Sequence, residues 1–360
     1  MAITRAQDLP SLAAVEARRI PPYLVFQHRG QDVLAVPHIS KATSLAGIAR
    51  YQPFTHKRRL YRIFSSVLIR IGATGLAAVR RANPLGSEYR LDFAQWCAHM
   101  ELRLGRRIAH AIVTWPPQRS RRRLYVHLLD ADLTSFAFVK VVAFTPEDHP
   151  KLIAEAQALD FLARVPLNKI RAPKALHHGR YEGVSFLIME PLPAAAKPLT
   201  LGADCDVSKL TAEYRGPLEA FSASEITNLS WWAAYTQSLK PEHQPFHAEL
   251  LQLLSLGTEL GRAHGDLSLA NMARDGDRIW IFDWESCHAT APALSDSIGF
   301  FMSFTLSKTL RSPLVSLRQL RQRFLSNASD QRRLDVMLAL AFRHACGVPD
   351  AAAIMQVWNS

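Results

Sequence analysis

The chain has 360 residues, of which 48% are hydrophobic and 21% are charged. A chain of this size and composition can bury a substantial core, so intrinsic disorder and a fold that depends on disulfides or a structural metal are not expected. The net charge is +12 with histidine neutral, and this basic surplus predicts an anionic partner without naming one.

Neither the cysteines nor the apolar runs of the sequence form a recognised motif for disulfides, zinc binding or membrane targeting. The four cysteines lie far apart without CxxC spacing, which predicts neither a zinc site nor a disulfide framework. The first residues lack the basic-then-apolar order of a secretion signal, and no run approaches the ~18 apolar residues that a spanning helix needs. We therefore expect a cytoplasmic protein, which could also bind peripherally at the inner membrane surface.

Composition separates three regions, residues 1–95, 96–192 and 193–360. In the first, the apolar runs 23–26 and 33–36 predict a hairpin around a polar turn. No acidic residue occurs from Val33 to Gly86. The basic residues of this segment are Lys41, Arg50, Lys57, Arg58, Arg59, Arg62, Arg70, Arg80 and Arg81.

An amphipathic helix is predicted in the same region, because apolar residues recur there at helical spacing. These residues are Leu60, Tyr61, Phe64, Val67, Leu68 and Ile71. The helix could pack its apolar side on the neighbouring domain and leave a basic side in solvent. It could instead lie in a membrane interface, or contact a nucleic acid or a protein.

The second region predicts a small antiparallel sheet that carries one long helix. Its β-branched and aromatic runs indicate strands, and a helical pattern separates the third strand from the fourth. The predicted strands are 108–114, 123–129, 135–142 and 185–189, and the predicted helix is 147–164.

The third region is predicted to be mainly helical, with a linker or insertion at residues 193–214. Its clearest amphipathic segments are 250–264 and 335–343, and a short strand pair, 272–274 and 278–282, surrounds the turn Asp275-Gly276-Asp277. The adjacent Trp231 and Trp232 could stack on a sugar or belong to the helical core.

Two motifs carry the chemistry, His264-Gly265-Asp266-Leu267-Ser268-Leu269-Ala270-Asn271 and Ile281-Phe282-Asp283-Trp284-Glu285. Asp266 is suited to accept or orient the hydroxyl proton of an acceptor. Asn271 and Asp283 offer the hard oxygen ligands that Mg²⁺ prefers. We interpret His264 as a buried residue that braces the loop. Glu285 could form a local hydrogen bond or bind metal. Together these residues indicate phosphoryl transfer.

The two motifs resemble the catalytic loop and metal-binding segment of the aminoglycoside phosphotransferase and choline kinase branch of the protein-kinase-like fold, over roughly residues 105–310. The resemblance implies an α+β, bilobal fold with a small antiparallel sheet lobe, a mainly helical lobe and, in this chain, an extra N-terminal region. It also implies ATP- and Mg²⁺-dependent transfer to a hydroxyl of a small molecule, sugar or lipid-linked glycan.

Further site residues follow from the resemblance alone. Lys140, in Phe-Val-Lys-Val-Val, matches the lysine that contacts the nucleotide phosphates, and Glu155 matches the carboxylate that holds that lysine. Met189 and Glu190 match the hinge against which adenine lies. Asp296 matches an aspartate that opens a helix and braces the catalytic loop. Residues 1–95 then become a basic extension, 96–192 a nucleotide-binding lobe and 193–360 a catalytic and acceptor-binding lobe.

One departure from the family keeps other classes of function open. Protein kinases cover the nucleotide phosphates with a glycine-rich turn, whereas no glycine occurs between Arg107 and Phe138. A catalytically weak, kinase-like binding module and a membrane-surface scaffold therefore remain alternatives. The expected partner is a small-molecule or glycan acceptor, with peripheral membrane contact through the basic N-terminal segment; nucleic acid is not the expected partner.

Overall fold

The computed structural model describes residues 21–28, 30–50, 56–73, 78–80, 84–85, 91–116, 123–143, 148–199, 207–308 and 313–359. For residues 56–59, 61, 78–80 and 304–308 it describes the backbone alone. The arginine-rich stretch 117–122 and part of the predicted linker, 200–206, lie outside these ranges.

Strands and helices alternate along the chain. The strands are β1 (Tyr23–His28), β2 (Gln31–Pro37), β3 (Ala78–Arg80), β4 (His110–Thr114), β5 (Arg123–Leu129), β6 (Ser135–Ala143), β7 (Ile170–Arg171), β8 (Ala175–Tyr181), β9 (Val184–Met189), β10 (Lys197–Pro198), β11 (Glu219–Phe221), β12 (Thr258–Ala263), β13 (Met272–Asp275), β14 (Arg278–Ile281) and β15 (His288–Pro292). The helices are α1 (Lys41–Arg50), α2 (His56–Arg70), α3 (Phe93–Leu104), α4 (Asp148–Leu162), α5 (Ser208–Arg215), α6 (Ala223–Thr227), α7 (Ser230–Gln237), α8 (Gln244–Leu253), α9 (Ser295–Lys308), α10 (Pro313–Leu320), α11 (Asp330–Ala345) and α12 (Pro349–Gln356).

Two compact units make up the chain. The sheet unit comprises residues 1–149 and 175–191, and the helical unit comprises residues 150–174 and 192–360. This division differs from the one drawn from composition, because strands of the first region join the sheet of the second. The predicted α+β class, with an antiparallel sheet part and a mainly helical part, is confirmed.

The sheet unit is built on eight antiparallel strands in the order β3-β1-β2-β4-β5-β6-β9-β8. The hairpin predicted near the N-terminus is confirmed as β1 and β2, and β2 pairs with β4 through Leu34 and Ala35. Alternate residues of each strand point to opposite faces, so each face of the sheet buries its own apolar cluster. The N-terminal strands are therefore an integral edge of this sheet.

Helix α3 was not predicted, although its ends carry clear signals. The Asp92 carboxylate accepts hydrogen bonds from the backbone N–H groups of Ala94 and Gln95, which caps the helix. Gly105 ends it in the left-handed conformation, with φ +59°.

Helix α2 confirms the predicted amphipathic helix but not the packing of its apolar side. Leu60, Phe64, Val67 and Ile71 are all exposed, whereas Ser65 and Ile69 on the other side are buried. The helix therefore packs through the side that carries Ser65 and Ile69. Of the six apolar residues predicted to form its packed side, Leu60, Phe64, Val67 and Ile71 are exposed, so the alternative in which these four pack on a neighbouring part of the protein is wrong.

The helical unit is organised around α11, whose residues 336–343 are all buried. Helices α7, α8, α9 and α12 contact it from several sides, so the helix predicted at residues 335–343 is confirmed but is not amphipathic in its setting, since residues 336–343 are buried all round. Trp231 and Trp232 lie in this core, so the core interpretation of the tryptophan pair is confirmed. Two small sheets complete the unit, β10-β13-β14-β7 and β11-β12-β15.

The long helix predicted at residues 250–264 is wrong in its second half. Helix α8 ends at Leu253, a single 3-10 turn follows, and Gly257 takes a positive φ of +68°. A Cβ at Gly257 would stand 2.8 Å from the carbonyl oxygen of Phe221, so the chain needs glycine there. Strand β12 then pairs with β11 and β15, and these long-range partners outweigh the local helical pattern.

In the part of the chain that the structure describes, no helix combines the length and apolar character required to cross a bilayer.

Candidate active site

Asp266 and Asn271 lie side by side in the helical unit. Strand β12 leads into His264-Gly265-Asp266, and one 3-10 turn, Leu269–Asn271, brings the chain back. The Asn271 amide donates to the backbone oxygen of Asp266 at 2.9 Å and to its carboxylate at 3.3 Å. The five-residue spacing thus closes into a loop that orients both side chains.

His264 braces this loop from below. Its ring is fully buried, and Nδ1 accepts a hydrogen bond from the backbone N–H of Asp266 at 3.2 Å. Nε2 is left to donate to the carbonyl oxygen of Phe282 at 3.0 Å. Both ring nitrogens are engaged by backbone groups, so the brace interpretation of His264 is confirmed.

Asp296 anchors the loop from the first turn of α9. Its buried carboxylate accepts the backbone N–H groups of His264 at 2.7 Å and Gly265 at 3.0 Å, and the Tyr214 hydroxyl at 2.8 Å. Burial raises the pKa of Tyr214 well above its usual value, and the charge of Asp296 adds to this rise. The predicted position of Asp296, opening a helix and bracing the loop, is confirmed.

Gly265 is a position that only glycine fits. Its φ is +83°, and a Cβ there would overlap the carbonyl oxygen of Ser286. The close approach lets both Gly265 backbone groups form hydrogen bonds, the N–H to Asp296 and the carbonyl to an arginine.

That arginine, Arg343 on α11, was missed by the sequence analysis. It is buried, and Nη1 donates to the carbonyl oxygen of Gly265 at 3.3 Å. Burial lowers the pKa of Arg343, and the negative charges of Asp296 and Asp266 oppose this change. Arg343 lies 78 residues beyond Gly265, at the end of the fully buried stretch 336–343 of α11, and no local pattern links it to the loop.

The Asp266 carboxyl has a perturbed pKa, although the residue is exposed overall. Partial burial of the carboxyl raises its pKa above the usual value, and the negative charge of Asp283 adds to the rise. The charge of His264, followed by that of Arg343 and the hydrogen bond from Asn271, acts in the opposite direction. A carboxylate with a raised pKa is a better proton acceptor than an ordinary surface aspartate.

Asp283 belongs to a group of three carboxylates. It follows β14 with a left-handed backbone, φ +68°, and the carboxylate oxygens of Asp283, Glu285 and Glu155 lie within 4.8 Å of one another. Glu155, on α4, also accepts the backbone N–H of Trp284 at 3.2 Å. Hard oxygen donors gathered in this way suit Mg²⁺ or Ca²⁺ better than softer metals.

The other predicted site residues lie in the sheet unit. Lys140 is buried on β6, where it pairs with Tyr125 on one side and Leu187 on the other. Met189 ends β9, and Glu190 follows it directly. The proposed contacts of Lys140, Met189 and Glu190 with nucleotide, and of Lys140 with Glu155, stay predictions.

Comparison with known proteins gives matches among solved structures only, since no family profile and no curated protein matches the chain. A thermostable mutant of the aminoglycoside phosphotransferase APH(4)-Ia is 14% identical, over 72% of this chain and 96% of that one, with a TM-score of 0.44. The amicoumacin kinase hAmiN, solved with AMP-PNP and Ca²⁺, is 14% identical over 69% and 88%, with a TM-score of 0.39.

A choline/ethanolamine kinase family protein from Mesorhizobium loti is also similar. It is 13% identical over 63% of this chain and 74% of that one, with a TM-score of 0.38. With each TM-score below 0.5, function has to be inferred from the residues of this chain.

Proposed function

We propose that the protein is an ATP- and Mg²⁺-dependent phosphotransferase that acts on a hydroxyl of a small molecule, sugar or lipid-linked glycan. The observation that carries this proposal is the hydrogen-bonded pair Asp266 and Asn271, with Asp283 close enough to raise the pKa of Asp266. Phosphoryl transfer needs little covalent chemistry from the protein, and depends on positioning and charge.

Three residues of the helical unit, Asp266, Asn271 and Asp283, each have a role in the proposed reaction. Asp266 accepts the proton of the acceptor hydroxyl as the hydroxyl oxygen bonds to the γ-phosphorus of ATP and the bond from that phosphorus to the bridging oxygen of ADP breaks, so that ADP leaves. The raised pKa of Asp266 favours the proton transfer. Asp283 and Asn271 hold the metal, whose charge, when bound, neutralises the phosphate oxygens. The donors fit a hard cation because all are carboxylate or amide oxygens.

The sheet unit supplies the remaining proposed contacts. Lys140 binds the α- and β-phosphates, and Met189 and Glu190 line the adenine. Glu155 has two candidate roles: it holds Lys140, or it joins Asp283 and Glu285 around the metal. A Glu155→Gln variant that keeps nucleotide affinity but needs more Mg²⁺ for half-maximal turnover favours the metal role.

The acceptor is proposed by class. The segment from Val33 to Gly86 holds nine basic residues and no acidic one, which favours a phosphorylated, anionic or membrane-attached glycan.

A second candidate function, a kinase-like binding module with little turnover, is favoured by the missing glycines between Arg107 and Phe138.

Substitution of Asp266 by asparagine tests the proposal. We expect Asp266→Asn to lower kcat by at least about 10²-fold, because the proton acceptor is lost, while nucleotide affinity stays within about twofold. ADP release is measured over a panel of sugar, amino-alcohol and phosphorylated-glycan acceptors, and affinity by calorimetry with Mg²⁺ and ATP.

Asp277→Asn is the matched control, since Asp277 is an exposed aspartate in the turn between β13 and β14. It should behave like the wild type. Turnover of Asp266→Asn at the wild-type rate rules out the assigned role. Nucleotide binding without ADP release on any acceptor identifies the binding module instead.

A further inference from the structure

A stripe of five large apolar side chains covers the outer side of α2. The exposed fractions are 58% for Leu60, 56% for Ile63, 54% for Phe64, 47% for Val67 and 69% for Ile71. With 3.6 residues per turn, these positions fall within an arc roughly 100° wide. We call this set the α2 stripe.

The α2 stripe is not the side by which the helix is attached. Ser65 is 2% exposed and Ile69 is 3% exposed, and both lie on the side opposite the stripe. Helix α1 packs against α2, and Ile69 joins the apolar cluster beneath it. A surface helix of a globular protein normally turns its apolar side inward, so an apolar side turned outward indicates a binding surface.

Positive charge lies at one end of the stripe. Arg70 is exposed next to Ile71, and Lys41 donates from Nζ to the carbonyl oxygen of Arg70 at 2.8 Å, which places its charge at the same end of the helix. The segment from Val33 to Gly86 has nine basic residues and no acidic one. The surface therefore combines apolar side chains with cationic ones, the combination that interfacial helices use on anionic lipid.

We propose that α2 docks the protein on an anionic lipid surface. The helix lies in the plane of the interface, with the α2 stripe at the boundary of the acyl chains and the basic side chains among the lipid head groups. The protein would bind peripherally, and a substrate attached to the same membrane would meet it at raised local concentration.

Other occupants fit the surface less well. A second copy of the chain would bring two strongly basic segments together, and the like charges would repel. A nucleic acid would satisfy the basic residues and leave the α2 stripe in water. Anionic lipid satisfies both parts of the surface at once.

Vesicle co-sedimentation of the full chain tests the proposal. We expect binding to phosphatidylcholine vesicles that contain phosphatidylglycerol, little binding to phosphatidylcholine alone, and weaker binding as salt concentration rises. Phe64→Asp with Val67→Asp should lower the partition coefficient at least tenfold, because two large apolar groups no longer insert. Arg70→Gln should lower it by about fivefold.

The matched control is Leu251→Asp with Leu314→Asp. Both leucines are 47% exposed and lie in the helical unit, so the control removes a similar apolar area elsewhere. It should bind vesicles like the wild type. Thermal melts of all variants report whether each is folded, and substitution of exposed side chains should leave the melting temperature nearly unchanged.

Three outcomes overturn the proposal. The first is the absence of wild-type binding to anionic vesicles at low salt. The second is equal binding by the wild type and the stripe variant, Phe64→Asp with Val67→Asp. The third is that the wild type is an oligomer in solution and the stripe variant is a monomer. The proposal does not depend on phosphotransferase activity, since Asp266→Asn should still bind vesicles and the stripe variant should still turn over a soluble acceptor.

Discussion

At the scale of single residues, the charge state of Asp266 is set by neighbours from distant parts of the chain. Burial and Asp283 raise its pKa, while His264, Arg343 and Asn271 lower it. The carboxyl must be ionised to accept a proton, so turnover should fall as pH drops through this raised pKa. Arg343 is the group whose charge can be changed without touching the proposed ligands.

We expect Arg343→Met to move the acidic limb of the kcat/KM profile to higher pH. The substitution removes a positive charge that lowers the pKa of Asp266, so the carboxyl takes up its proton at a higher pH. Loss of this buried charge should also lower the free energy of unfolding by about 3 kcal/mol. Initial rates across pH and denaturant unfolding measure the two effects.

Arg343→Lys provides the comparison, because lysine keeps the charge and loses the guanidinium geometry. Its acidic limb should lie between those of the wild type and Arg343→Met. Identical pH profiles for all three proteins would show that Arg343 stabilises the fold without affecting the pKa of Asp266.

At the scale of elements, strand β12 and helices α9 and α11 hold the loop from His264 to Asn271 in place. Asp296 on α9 holds its N–H groups, and Arg343 on α11 holds the carbonyl of Gly265. The two helices come close at Gly299, where an added Cβ would overlap the Arg343 guanidinium. The packing of α9 on α11 therefore bears directly on the loop.

We expect Gly299→Ala to lower kcat by about tenfold or more and to change nucleotide affinity little. The new methyl group displaces Arg343 from Gly265, which shifts the loop that carries Asp266. Overpacking should reduce the free energy of unfolding by about 1–3 kcal/mol. Steady-state kinetics and urea unfolding measure these effects.

Ser303→Ala, on the same helix, is the control, since its hydroxyl donates to the local carbonyl oxygen of Phe300. It should retain wild-type kinetics. Normal turnover of Gly299→Ala would show that the loop keeps its position without the contact between α9 and α11.

At the scale of the whole molecule, the proposed ligand should stabilise the fold. We expect Mg²⁺ with ATP, at about 100 times the dissociation constant, to raise the melting temperature by several degrees, and EDTA to remove most of that rise. Asp283→Ala should show no Mg²⁺-dependent rise, because a proposed ligand is lost. Differential scanning calorimetry provides the measurement.

Asp277→Ala serves as the control and should respond to Mg²⁺ and ATP like the wild type. An unchanged wild-type melting temperature at saturating nucleotide would remove the basis for a nucleotide-dependent reaction. An equal rise in the melting temperature of Asp283→Ala would show that Asp283 is not a ligand of the metal.

Local patterns in the sequence were sufficient for several elements and for the loop from His264 to Asn271. Strands β5, β6, β13 and β14 lie where alternation and turn residues predict them, because a hairpin depends on contacts between near neighbours in the chain. The loop from His264 to Asn271 is also local, since its main hydrogen bonds join residues two to five positions apart.

Long-range packing decided the remainder. Strand β12 replaced a predicted helix because β11 and β15 offered partners, and α2 turned its apolar side outward because Ser65 and Ile69 face the sheet unit. Arg343 contacts the loop from His264 to Asn271 from the buried stretch 336–343 of α11, whose sequence carries no sign of that contact. Such contacts depend on which surfaces meet after folding, and a one-dimensional pattern records only the side chains that each segment offers.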